Sequence, residues 1–135
     1  MAKETGMSWT TCTVDDDGGS GRAIKNDVTN LDLSMTNGVQ DITGLDKSAI
    51  ERQLLLGDFS LTLNGIWNPA DDESHDVLKN VGTTSVGRTV ALTISASNLN
   101  NEVLFSAYDI TRATDGSMVW VAPSELESGT LPVWS

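Results

Sequence analysis

The chain is poor in the residues on which most protein chemistry depends. It has one cysteine, Cys12, and one histidine, His75, in 135 residues. A single thiol excludes an intrachain disulfide and any cysteine-based metal cluster. Cys12 lies in SWTTCTV, a strand-like run, where an ordinary packed thiol is expected. A catalytic histidine needs a base partner or a nucleophile, and His75, read as exposed at a helix start, has neither within its segment. The sequence lacks a Walker loop, a Rossmann glycine fingerprint, an HExxH motif and a nucleophile elbow. Aromatics are 5% of the chain, with no cluster of the kind that lines sugar clefts, although the many carboxylates leave a glycosidase pair open. The expectation is a protein that is not an enzyme and needs no cofactor or metal. No run is apolar for long enough to cross a bilayer as a helix, and MAKETGMSW holds no apolar signal core. A cytoplasmic product is expected, or one carried by a machine that needs no signal peptide.

Cations are scarce as well. Eight Lys and Arg stand against nineteen Asp and Glu, a formal net charge of −11. Such a surface repels nucleic acid, since phosphates and carboxylates share a sign. This argues against a DNA-reading module. It is compatible with a protein that lets DNA pass without sticking, and equally with an acidic surface that serves only solubility.

What is present is strand pattern. A length of 135 residues suits one domain. Residues 1–7 are polar and read as a loose N-terminal arm. Ser8 to Val14 reads as a strand, and Asp15 to Gly21 as an acidic turn. An EF-hand loop begun at Asp15 fails, because Gly19, Ser20 and Asn26 fall where the fifth, sixth and twelfth positions need other residues.

Two strands dominate, Ala23 to Met35 and Leu54 to Asn64. In the first, Leu31, Leu33 and Met35 alternate with Asn30, Asp32 and Ser34. In the second, Phe59, Leu61 and Leu63 alternate with Asp58, Ser60, Thr62 and Asn64. A period of two predicts sheet with one face on a core and one face wet. Between them Thr36 to Arg52 reads as a long loop opened by the turn Thr36-Asn37-Gly38, with one helical turn over Ala49 and Ile50 capped by Asp46 or Ser48. Long loops in small domains are usually functional or packed on something. Val39, Ile42 and Leu45 are therefore core if buried, and anchors for a partner if exposed.

Further on, SHDVLKNVG reads as a short helix with Ser74 as N-cap, Lys79 near its end and Gly82 as its stop. Thr83 to Ser95 is a third strand, with Val86, Val90, Leu92 and Ile94 on its apolar face and Arg88 at its rim. NLNN (Asn98 to Asn101) reads as a loop, EVLFSAYDITRA as one strand, Thr114-Asp115-Gly116 as a hairpin turn and SMVWVAP as its returning strand. Residues 124–135 form a C-terminal arm whose Leu131-Pro132-Val133-Trp134 should dock on its own domain or a neighbour. The fold class is all-β with one short α-helix, a β-sandwich or open barrel with a long inter-strand loop.

Several segments, in order, resemble the major tail (tail tube) proteins of bacteriophages with long, noncontractile tails. The run from Asn26 to Asn68 carries much of it, with GVQDITGLDKSAIERQLLL and ADDESHDVLKNV the most specific pieces. TSVGRTVALTIS, EVLFSAYDITRATDGSMVWVAP and GTLPVWS follow, so the resemblance spans nearly the whole chain from Trp9. It implies a β-sandwich-like subunit that forms six-membered rings, stacked into a tube that passes DNA during ejection. It implies inner strands closing into one barrel around the channel, a long loop reaching the adjacent ring, and terminal arms that add contacts. The implied partners are further copies of the chain, the tape-measure protein and the tail-tip and terminator proteins. The implied location is the virion tail, assembled in the host bacterial cytoplasm.

On this resemblance, Asn30, Asp32, Ser34, Asp58, Ser60, Thr62 and Asn64 are expected to line the channel, with no cation to grip phosphate. Gly38, Val39, Gln40, Asp41, Ile42, Leu45, Lys47 and Arg52 are expected to form the stacking loop. Six copies at −11 carry −66 per ring, so rings repel over a range of about 8 Å at ordinary salt, and apolar burial and strand pairing must hold them. Rival readings are the tube subunit of a contractile tail, a head-decoration protein, and a monomeric β-sandwich binding module.

Overall fold

The computed structural model describes residues 7, 9–81 and 87–135. The expected N-terminal arm (Met7 apart), Ser8, the helix stop at Gly82 and the start of the third strand with Val86 lie outside the described residues.

The strands are β1 (Trp9–Asp15), β2 (Gly21–Ala23), β3 (Val28–Asp41), β4 (Arg52–Ile66), β5 (Arg88–Ile94), β6 (Ser97–Phe105), β7 (Asp109–Arg112) and β8 (Met118–Leu126), with one helix, α1 (Ser74–Leu78), between β4 and β5. They form one antiparallel sheet in the order β2-β1-β5-β6-β8-β4-β3, with β7 also paired to β8. The β6–β8 junction holds only three residue pairs, from Val103↔Leu126 to Phe105↔Ser124. On either side of it lies a four-stranded half, β2-β1-β5-β6 or β7-β8-β4-β3. Both halves send their apolar faces into one core: Cys12, Val14, Val90, Leu92, Leu99 and Val103 from the first, Phe59, Leu61, Leu63, Trp120 and Ala122 from the second. Helix α1 adds Val77 and Leu78. This is the all-β class with one short helix that the patterning predicts.

Trp120 sits at the centre. Its ring lies over Gly65, where a Cβ would overlap both the indole and the Asp27 carbonyl, and its Nε1 donates to the Ile66 carbonyl at 3.0 Å. Asp27 ends a single 3₁₀ turn, Lys25–Asp27. Its buried carboxylate accepts from Asn68 Nδ2 at 2.9 Å and from the Ser74 amide at 3.1 Å. That bond ties the N-terminus of α1 to the start of β3, so a buried acidic group is satisfied by donors rather than by a cation.

Several boundaries differ from the expectation. The first long strand is interrupted, because the 3₁₀ turn separates β2 from β3. The expected loop Thr36 to Arg52 is partly ladder: β3 runs to Asp41 and β4 starts at Arg52, so residues 42–51 lie outside the strands, with no helical turn there. Ser74 is the first residue of α1 and Glu73 the N-cap, which makes no side-chain cap bond. NLNN belongs to β6. The turn before it is Ser95-Ala96, both at positive φ (51° and 66°), a conformation that Asn-Gly would have announced and Ser-Ala does not. EVLFSAYDITRA is two strands broken at 106–108. Arg88 is buried rather than at a rim, and its Nη1 donates to the carbonyls of Val77 (2.5 Å) and Asp15 (3.1 Å). The C-terminal arm starts later than residue 124, since Ser124, Glu125 and Leu126 complete β8 and the Ser124 hydroxyl donates to the Leu61 carbonyl at 2.7 Å.

Candidate functional site

Two surfaces stand out, and both are built on the β3–β4 hairpin. The first is the wet face of its core-backed half. The ladder sets Asn30 opposite Asn64, Asp32 opposite Thr62, Ser34 opposite Ser60, and Thr36 opposite Asp58. Side chains directly opposite in an antiparallel pair share a face. All seven residues expected at the channel therefore lie on one face, exposed or half-buried, while Leu31, Leu33, Met35, Phe59, Leu61 and Leu63 point to the core. The rows continue onto β8, where Asn64 pairs with Val121, Thr62 with Pro123 and Ser60 with Glu125. None of these positions carries Lys or Arg.

Glu125 is an exposed carboxylate on this face that the sequence reading missed. Its signal was available. Val119, Val121, Pro123 and Glu125 alternate with Trp120, Ala122 and Ser124, but the expected strand SMVWVAP stops at Pro123 whereas β8 runs on to Leu126. A proline is tolerated where the ladder does not need its missing N–H.

The second surface is the distal half of the same hairpin, an arm running from Gly38 to Leu56. The pairs Val39↔Leu54, Gln40↔Gln53 and Asp41↔Arg52 continue the ladder past a register shift near Gly38. The tip is closed by its own polar groups. The Asp41 carboxylate accepts from the amide and hydroxyl of Thr43 (2.9 and 2.6 Å), and the Thr43 hydroxyl accepts from the Glu51 amide (2.7 Å). Those Thr43 bonds hold the Asp41 carboxyl below its usual range. Lys47 lies 4.0 Å from Glu51 in an exposed pair.

Among the described residues no element packs the arm's apolar residues into the core. Val39, Ile42, Leu45, Ile50, Leu54, Leu55 and Leu56 are all exposed, Leu45 completely and Leu56 at 94%. The eight residues expected in the stacking loop thus lie together on the arm: Gly38, Val39, Gln40 and Asp41 in β3, Arg52 in β4, and Ile42, Leu45 and Lys47 at the tip. Val39, Ile42 and Leu45 are exposed rather than core.

The C-terminal segment docks in part. Leu131 packs against the core cluster in a notch over Gly57, at the base of the arm, where any Cβ would overlap it. The Ser135 and Asn98 backbones exchange two hydrogen bonds of 2.9 Å. Val133 and Trp134 between these anchors stay exposed.

His75 is not the isolated exposed histidine expected. It stacks on Trp67 (centroids 4.0 Å apart), and its Nδ1 lies 3.1 Å from the Tyr108 hydroxyl. Burial, with the Asp27 charge nearby, pushes the Tyr108 phenol up to about 12. The group is a packing unit beside Trp120. Among the described residues no group of three or more His, Cys, Asp and Glu side chains could hold a metal ion, and no helix is long and apolar enough to cross a membrane.

No protein-family model matches the chain, and no curated protein matches it. Solved structures match it in fold. A chain from the tail of an empty gene transfer agent particle, of C6 symmetry, superposes with a TM-score of 0.73 over 98% of this chain and 99% of its own, at 13% identity. A chain from the virion of a native gene transfer agent particle gives 0.75 over the same shares, at 12% identity. The protein thus has an all-β fold also found in chains of assembled gene transfer agent particles.

Proposed function

We propose that this chain is a virion structural protein of a phage-like tail, polymerising as stacked six-membered rings into a tail tube through which DNA passes during ejection. The observation that carries this reading is the arm. A chain with a core of its own extends a hairpin bearing seven exposed apolar side chains, and such patches mark interaction sites. The fold shared with chains of tail and virion particles supports the same reading.

In this reading the arm reaches the adjacent ring. The face of Asn30, Asp32, Ser34, Asp58, Ser60, Thr62 and Asn64, extended by Glu125, lines the channel. Its carboxylates repel phosphate and no cation stands on it to hold the backbone, so DNA slides rather than sticks. Ring closure by strand pairing hides sheet edges that a solitary subunit leaves open. The partners are further copies of the chain, a tape-measure protein and tail-tip and terminator proteins. The place is the virion tail, after assembly in the host cytoplasm. The role is structural rather than enzymatic.

The test is electron microscopy of the purified protein at high concentration, beside a sizing column. Hollow tubes or stacked six-fold rings are expected. A strict monomer, together with virus-like particles shown to lack the protein in their tails, would overturn the reading in favour of a solitary binding module.

A further inference from the structure

The arm lies at one end of β4, and a second uncovered apolar patch lies at the other. Ile66 and Val119 are ladder partners, and Val121 stands one outward position along β8, opposite Asn64. All three are exposed. They continue the polar face past Asn64 and end it in an apolar rim. On the neighbouring strand Thr111 pairs with Val119 and Asp109 with Val121, so an exposed carboxylate borders the rim. On the arm, Val39 and Leu54 form one rung, and Asp41 and Arg52 form the next outward rung on the same face. Asp41 is engaged by Thr43. Among the described residues neither Arg52 nor Asp109 has an ion-pair partner within 4.0 Å.

We infer that the arm of one copy docks on the Ile66–Val119–Val121 rim of a second copy, with Arg52 beside the second copy's Asp109. This rests on the proposed stacking role and supplies its receiving surface. The occupant is another copy of this chain because both halves of the contact are on it, matched in kind: an apolar rung next to a lone cation, and an apolar rim next to a lone carboxylate. The two surfaces differ, so the contact is heterologous, and it extends as an open line wherever the rotation between copies does not close a ring.

The size of the contact limits what it can do alone. The seven arm residues together expose the equivalent of between four and five whole side chains, and the rim with Ile110 less than two. Fully burying one aliphatic side chain corresponds to roughly 60–120 Å² of apolar area, so the arm offers roughly 280–570 Å². A stable pairwise interface buries about 800 Å² per partner. One arm therefore does not hold two subunits together. Several arms presented at once by a ring do, because after the first contact the others form at high effective concentration. Stacking is a property of rings, not of single subunits.

Disulfide trapping tests the contact. The native thiol does not interfere, since Cys12 is buried and its pKa is pushed up to about 12. Chains carrying Leu54→Cys and chains carrying Val119→Cys, one set bearing a mass tag, are mixed in equal amounts at assembly concentration and oxidised. Both positions are exposed, so folding is preserved, and circular dichroism checks it. The expected product is a tagged–untagged dimer severalfold above the share that random collision gives. A random distribution, same-variant dimers in excess, or no cross-link would overturn the contact. Electron microscopy of the same sample separates the two levels of failure. Tubes without the mixed dimer remove this contact and leave the tail-tube reading standing, and that reading is tested separately by the unsubstituted protein imaged beside the variants.

Discussion

The two halves of the β3–β4 hairpin are made of the same strands in one ladder, yet they obey different rules. From Asn30 to Met35 and from Phe59 to Gly65, one face lies on the core. There the residues alternate strictly and Phe59, Leu61 and Leu63 are wholly buried. From Gly38 to Leu56 no core lies beneath either face. There alternation is lost, and Leu54, Leu55 and Leu56 follow one another, all exposed. The first half stabilises the subunit. The second is held by its ladder and by local polar bonds such as those of Asp41, Thr43 and Glu51, and its apolar residues add nothing to the core of the isolated fold. Apolar side chains kept where they do not stabilise the subunit are accounted for by a surface that covers them in an assembly.

That contrast yields predictions of decreasing size. Phe59→Ala should cost about 3–5 kcal/mol, because it removes a fully buried aromatic ring and leaves a cavity. Denaturant unfolding of the isolated subunit measures it. A loss under 1 kcal/mol would mean that the core-backed half matters less than its burial implies.

The alkaline limb of stability comes next. Burial pushes the Cys12 thiol up from 9.0 to about 12. The folded chain therefore holds that proton longer than the unfolded chain, and the resulting stability is whole below pH 9 and is lost as the pH rises from 9 to 12. The upper limit of the loss is about 4 kcal/mol. Cys12→Ala should flatten unfolding curves over that range, and an unchanged pH profile would refute this.

The arm should behave oppositely. Leu45→Ser or Leu56→Ser should shift subunit stability by no more than about 0.5 kcal/mol, as exposed positions do, while abolishing or sharply reducing tube formation. Deleting Gly38 to Leu45 alone would strand Arg52, Gln53 and Leu54 without ladder partners. Removing 38–56 and closing the hairpin with Asn-Gly is the cleaner variant, expected to fold as a subunit that cannot polymerise. Normal tubes from it would break the comparison outright. Smallest is the effect of salt. With −11 per chain, tube yield should rise modestly with ionic strength as repulsion between rings is screened, and a flat dependence would leave charge no role.

The same contrast explains what could be read from the residues alone. Alternation carries information only where the two faces meet different surroundings. Accordingly the strands around Leu31–Met35 and Phe59–Leu63, the Asp15–Gly21 turn, the Asp115-Gly116 hairpin and the seven polar positions of one face were legible. The arm was read as a loop because, with no core below it, its ladder leaves no two-residue period. The Ser95-Ala96 turn carries none of the residues that favour positive φ. Arg88 looked like a rim residue because its partners, the Val77 and Asp15 carbonyls, are backbone groups brought together only by the packing of α1 and β1. Glu125 was hidden behind a proline that this ladder tolerates.

Hydrogen exchange across the β3–β4 hairpin, in the free subunit and in the polymer, tests the central claim most directly. The amides of residues 38–56 should exchange orders of magnitude faster than those of residues 59–65 in the free subunit, and should become protected on assembly, with 59–65 little changed. An arm already as protected as the core-backed half in the free subunit, or one left unprotected in the polymer, would contradict the account.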